Sequence, residues 1–271
     1  MIKTDFDIWD FLRVEQSNKY ENYEAIYNLS FDELTSISRV ANRGIHEDEN
    51  GKLVTVALDR RKMIINIPKK NAGNKNEKKY PVVIFFHGLG DHPWDMALYI
   101  TNWRLLSNKY QFIVAFGWGT DCDSMIDHRC GFNIKNPDKD FQYLENMVKF
   151  LIKEHDADLE KFYFVGFSNG GIFSSLVAQK YGCQLFRAIV NIMGGFGKDS
   201  GEVKPVEINY PLPILVITST NDDYRTSCEK AHKYFLSRGC NSKILIISDF
   251  GHNYPINEEE NIWNFLLACG D

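Results

Sequence analysis

Residues Gly166-Phe167-Ser168-Asn169-Gly170 read G-x-S-x-G, at the point where the apolar run FYFV gives way to a helix-like pattern. A serine forced into a sharp strand-to-helix turn lifts its hydroxyl clear of a sheet. The flanking glycines are needed because side chains there would collide as strand and helix converge. A glycine-rich turn whose serine merely caps the next helix has the same letters. The two readings part on whether the rest of a nucleophilic apparatus follows. A serine hydroxyl attacks poorly unless an imidazole takes its proton, and the imidazole needs a carboxylate to orient it. Further along, PILVITS (213–219) runs into TNDDY with Asp222 and Asp223, and KILIIS (243–248) runs into DFGHNYP with His252. Serine, acid and histidine thus follow one another, each at the end of an apolar run, as nucleophile, orienting group and base.

The chemistry also requires N–H donors for the negative oxygen of a tetrahedral intermediate. The run PVVIFFHG (81–88) ends in HGLGD, and the backbone N–H of Leu89, with that of Asn169 just after the serine, is the expected donor pair. His87 reads as a brace for that loop rather than a second base. His46, His155 and His232 fall in a hairpin or on helices and read as surface residues, whereas His92 and His128 lie in loops bordering the ends of the apolar runs. The set His87, His92, Asp121 and His128 lacks the spacing of a standard metal site. No metal and no cofactor is expected.

These residues need a scaffold that ends several strands at one edge. Near-continuous apolar runs at 81–88, 112–119, 162–168, 187–195, 213–219 and 243–248 alternate with helical patterns, notably 140–155, 227–239 and 258–270. Runs without polar alternation mean a parallel sheet covered on both faces, and in such sheets the chemistry gathers at the carboxyl ends of the strands. Ahead of them lie an antiparallel start, with Asn50-Gly51 as a two-residue turn, then KLVTVAL (52–58) and KMIINIP (62–68). Residues 1–38 read as a helical extension, with SFDE (30–33) in capping-box form, and 39–271 as one domain.

Composition narrows the partners. A net charge of −5 argues against nucleic acid, whose phosphates need a basic face. The basic cluster Lys69–Lys79 is interleaved with Asn and Gly and reads as a solvated loop. No apolar run approaches the ~20 residues of a membrane helix, and the N-terminus lacks the order of a signal peptide. A cytoplasmic protein is expected, with no membrane partner and no readable oligomeric state. Six cysteines form no C-x-x-C pair, though Cys122 and Cys130 share a loop and could bridge in an oxidising compartment.

The segment from Asp140 through GFSNGG to MGG (193–195) resembles the core of the polyhydroxybutyrate-depolymerase and feruloyl-esterase group of α/β hydrolases. HGLGD resembles their first oxyanion loop, GHNYP their G-H-T-W-P, and TSTNDDY their H-G-T-x-D. The resemblance covers roughly 60–270. It implies the α/β-hydrolase fold: a mostly parallel sheet with antiparallel N-terminal strands, helices on both faces and little or no lid. It implies a serine esterase with Ser168, Asp222 rather than Asp223, and His252 as its triad, acting on a small-molecule or oligomeric ester. An acyltransferase or thioesterase would use the same triad, and a non-catalytic binding protein the same fold. Where the family often has C-C-G, this chain has Arg129-Cys130-Gly131. The short stretch 196–212 leaves no room for a large helical lid, so an open site walled by Trp118 and Tyr254 is expected.

Overall fold

The computed structural model describes residues 45–48, 50–58, 61–69, 79–120, 130–198 and 203–270. The expected N-terminal helices, most of the basic cluster, and Asp121, Cys122 and His128 lie outside the described residues.

Among them a nine-stranded sheet has the order β1-β2-β3-β5-β4-β6-β7-β8-β9. Strands β1 (Ile45–Asp48), β2 (Gly51–Leu58) and β3 (Arg61–Ile67) are antiparallel, and β3 pairs antiparallel with β5 (Ile113–Gly117). From β5 onward the sheet is parallel through β4 (Tyr80–Phe86), β6 (Ala157–Phe167), β7 (Ala188–Ile192), β8 (Ile214–Ser219) and β9 (Ser242–Ile247). Strands β5, β7 and β8 are buried along their whole length, which is why their sequences show no alternation. The edge strand β9 keeps an uneven pattern of exposure.

The longer helices among the described residues are α1 (Trp103–Tyr110), α2 (Asp138–Glu154), α3 (Asn169–Lys180), α4 (Arg225–Ser237) and α5 (Glu259–Ala268), with a short helical stretch at 93–100 ahead of α1. Helix α3 lies against β4, β6 and β7. Its Phe173 meets Phe86 of β4 at a centroid distance of 5.4 Å. Leaving β4 the chain first adds β5 on one side, and then β6 on the other. This reversal opens a crevice at the carboxyl ends of β4 and β6, where HGLGD and Ser168 emerge.

Two local expectations shift. Asp48 pairs with Gly51, so the hairpin turn falls on 49–50, one residue earlier than Asn50-Gly51. Gly51, at φ +109°, opens β2 instead of completing the turn. Helix α1, not among the expected helices, buries Arg104 and Ser107 beside Trp103 and Leu106. The first two join Asn66 in a polar cluster: Arg104 Nε donates to Asn66 Oδ1 at 3.0 Å, and Asn66 Nδ2 to Ser107 Oγ at 3.1 Å.

Candidate active site

Ser168 adopts φ 51° and ψ −109°, a strained conformation for a residue with a side chain. The surrounding chain over-determines it. Ser168 N–H donates to Ile192 O at 2.8 Å, and Gly170 N–H to His87 O at 3.0 Å. The glycines are steric requirements: a Cβ on Gly166 would lie 2.0 Å from Gly170 O, and one on Gly170 would lie 2.1 Å from Phe86 O. Strand β6 and helix α3 therefore approach as closely as backbones allow, and the serine hydroxyl is left half-exposed at the crevice.

His252, from the loop after β9, places Nε2 2.9 Å from Ser168 Oγ and Nδ1 2.8 Å from Asp222 Oδ1. The carboxylate can only accept, so Nδ1 carries the proton and Nε2 is free to accept from the serine. The Asp222 side chain is fully buried. It also accepts from Tyr224 N–H at 2.9 Å and Thr218 Oγ1 at 3.3 Å, which holds its plane toward the imidazole. Asp223 turns outward to Lys198, 2.7 Å away, and that ammonium holds its carboxyl below the usual range. The imidazole is flanked by two rings lying nearly parallel to it, Tyr224 at 4.9 Å and Phe167 at 5.6 Å. Tyr224 was not singled out from the sequence, and its position two residues past the acid was the available signal.

The loop after β4 passes beside the serine, since a Cβ on Gly88 would lie 3.3 Å from Ser168 Cβ. In this loop Gly88 N–H donates to Asp91 Oδ2, Gly90 N–H to Cys130 O and Asp91 N–H to Gly88 O. The N–H groups of Leu89 and Asn169 meet no acceptor among the described residues. The Leu89 side chain is 64% exposed. His87 is buried beneath: Nδ1–H donates to Gly88 O at 2.7 Å, and Nε2 accepts from Gly119 N–H at 3.4 Å. Burial pushes its pKa down to about 4, only partly opposed by the bond to Gly88, so the ring is a neutral brace.

Trp118 and Tyr254 do not wall an open mouth; both are buried, at 4% and 2% exposure. Trp118 lies edge-on to His92 at 4.8 Å, under the Lys62 ammonium. Tyr254 packs behind Phe167 and Phe85, and its hydroxyl accepts from Trp103 Nε1 at 2.8 Å. A tyrosine whose hydroxyl finds interior partners gains more from burial than from a place at the surface. Glu259 Oε2 accepts from Asn102 N–H at 2.8 Å. Burial raises the Glu259 carboxyl to about 8, against the smaller opposing effects of Tyr254 and the Asn102 amide.

Among the described residues no cluster of His, Cys, Asp and Glu has the form of a metal site. Cys130 is disulfide-bonded. No helix among them is long and apolar enough to cross a membrane.

A family model described as phospholipase/carboxylesterase matches residues 69–269. The chain belongs to that family. It is 30% identical over 225 residues to an uncharacterised hydrolase of Acanthamoeba polyphaga mimivirus, covering 71% of this chain and 72% of that one. It is 26% identical over 145 residues to a bifunctional acetylxylan esterase/xylanase of Neocallimastix patriciarum, covering 53% of this chain but only 19% of that enzyme. A solved ferulic acid esterase superposes with a TM-score of 0.61 at 14% identity, covering 81% of this chain and 98% of the other, and so shares the fold. The protein is an esterase-type hydrolase with the α/β-hydrolase fold.

Proposed function

We propose that this phospholipase/carboxylesterase-family protein is a serine-dependent carboxylic-ester hydrolase working through an acyl-enzyme. The supporting observation is the unbroken chain of hydrogen bonds from Ser168 Oγ through His252 to the buried Asp222. Ser168 Oγ attacks the ester carbonyl carbon as His252 Nε2 takes its proton. Asp222 keeps the imidazole oriented and stabilises the imidazolium. The carbonyl π pair moves onto oxygen and is met by the N–H groups of Leu89 and Asn169. Collapse of the intermediate breaks the bond to the alkoxy oxygen, which leaves as alcohol with the proton from His252. Water, deprotonated by the same imidazole, then attacks the acyl-serine, releases the acid and restores Ser168. The substrate is a small-molecule or oligomeric ester.

Replacing the nucleophile tests this. Ser168→Ala should lower turnover of p-nitrophenyl acetate by roughly 10⁶-fold, to background, and abolish fluorophosphonate labelling, with thermal unfolding preserved. Undiminished turnover in the folded variant removes Ser168 from the reaction.

A further inference from the structure

Asn169 contributes more than its backbone N–H. Its side-chain Oδ1 accepts from Phe132 N–H at 2.7 Å, and its Nδ2 donates to Phe132 O at 3.1 Å, so the carboxamide pairs with a residue far from it in sequence as a β-bridge partner would. Both bonds require the same orientation of the amide, which leaves its flip unambiguous. The segment it clasps, 130–132, makes three further attachments. Cys130 O accepts Gly90 N–H at 2.8 Å from the loop that carries Leu89. Gly131 bridges Thr120 beyond β5, accepting Thr120 N–H at 2.7 Å. The Phe132 ring stacks on Phe86 of β4 at 3.9 Å.

The middle residue of the segment lies between the side chains of the two residues whose N–H groups are proposed as donors. A Cβ on Gly131 would be 2.8 Å from Leu89 Cδ1 and 3.0 Å from Asn169 Oδ1. Leu89, in the loop after β4, and Asn169, at the start of α3, share no hydrogen bond among the described residues; 130–132 is the spacer that joins them. We propose that the Asn169 carboxamide is a positioning residue, which clasps 130–132 and thereby sets the distance between the Leu89 and Asn169 N–H groups at the reacting oxygen. This rests on the serine-esterase reading. A carboxamide is the side chain this clasp needs, because it offers one donor and one acceptor in a plane at the reach of a backbone amide. Helix α3 itself does not use the group, since neither of its bonds goes to its own helix.

An oxyanion site acts on the transition state, so a misplaced donor lowers kcat and leaves KM nearly alone. Loss of one donor outright costs about 10²–10³, and a misregistered pair should cost roughly 10–100-fold. The test uses the full chain, p-nitrophenyl acetate, and an alkyl trifluoromethyl ketone, whose serine adduct is an oxyanion. Asn169→Ala and the near-isosteric Asn169→Leu should each lose that factor in kcat with KM within about twofold, and should bind the ketone more weakly by a similar factor. Gly131→Ala, wedging the spacer away from Leu89 and the Asn169 carboxamide, should give the same kcat-only loss, and the Asn169→Ala, Gly131→Ala double variant should fall little below the worse single one. If Asn169→Ala does not fold, Asn169→Leu and Gly131→Ala carry the measurement. Folded variants with kcat within twofold of the parent, or a loss confined to KM with ketone affinity unchanged, overturn the proposal. A parent protein that neither turns over esters nor takes the fluorophosphonate label overturns the esterase reading instead.

Discussion

Tyr254 follows the proposed base by two positions, and its side chain illustrates how residue type alone misleads. An aromatic near a reactive histidine suggests a substrate wall, yet its hydroxyl is turned inward to Trp103. That hydroxyl ties the loop carrying His252 to the start of α1. Tyr254→Phe would leave the buried Trp103 N–H without its acceptor, and an unmet buried donor costs about 1–3 kcal/mol. The denaturant midpoint should fall accordingly at unchanged m-value. An unchanged midpoint would mean that the hydroxyl adds nothing to stability. Ser168, Asp222 and His252 were readable because their types and order are constrained by the chemistry. The Asn169 carboxamide and the Tyr224 ring were not, because what they do depends on which distant group they meet.

The junction of β6 with α3 carries the strain of the site. Strand ends were legible in the sequence because buried parallel strands are short apolar runs that stop at glycine or a polar residue. The sharp turn was legible because a side chain cannot fit where two backbones touch. Gly170→Ala puts a methyl 2.1 Å from Phe86 O and 2.8 Å from His87 O, backbone atoms at the end of β4 and just past it that cannot swing aside. Relief requires prising α3 off β4. Stability should fall by about 3 kcal/mol, the upper end for overpacking, and fluorophosphonate labelling should slow in the fraction that folds. Normal stability and labelling would show that the junction is looser than its contacts indicate. The first hairpin slipped by one residue because Gly51, with φ +109°, serves equally well as a turn residue or a strand opener.

Two buried titratable groups carry the large shifts between pH 4 and 8. His87, depressed from 6.5 to about 4, stays neutral in the folded protein while the unfolded chain takes up a proton, so its effect is to lower stability as pH falls from 6.5 toward 4. Glu259, raised from 4.5 to about 8, keeps its proton in the folded protein while the unfolded chain loses one, so its effect is to lower stability as pH rises from 4.5 toward 8. Across the overlap the two slopes oppose and nearly cancel. Above it Glu259 acts alone, at up to about 1.4 kcal/mol per pH unit. Urea midpoints should therefore be level between about pH 5 and 6.5 and decline toward pH 8, and Glu259→Gln should remove the decline. A decline that persists in Glu259→Gln would assign it to another group.

Residue types, their order, and the alternation of apolar runs with helices came from the chain alone, because strands, turns and the demands of a nucleophile are written within short stretches. The burial of Trp118 and Tyr254 and the clasp between Asn169 and Phe132 were decided by the fold. Each depends on a partner from another part of the chain, and a side chain's surroundings exist only once those parts have packed.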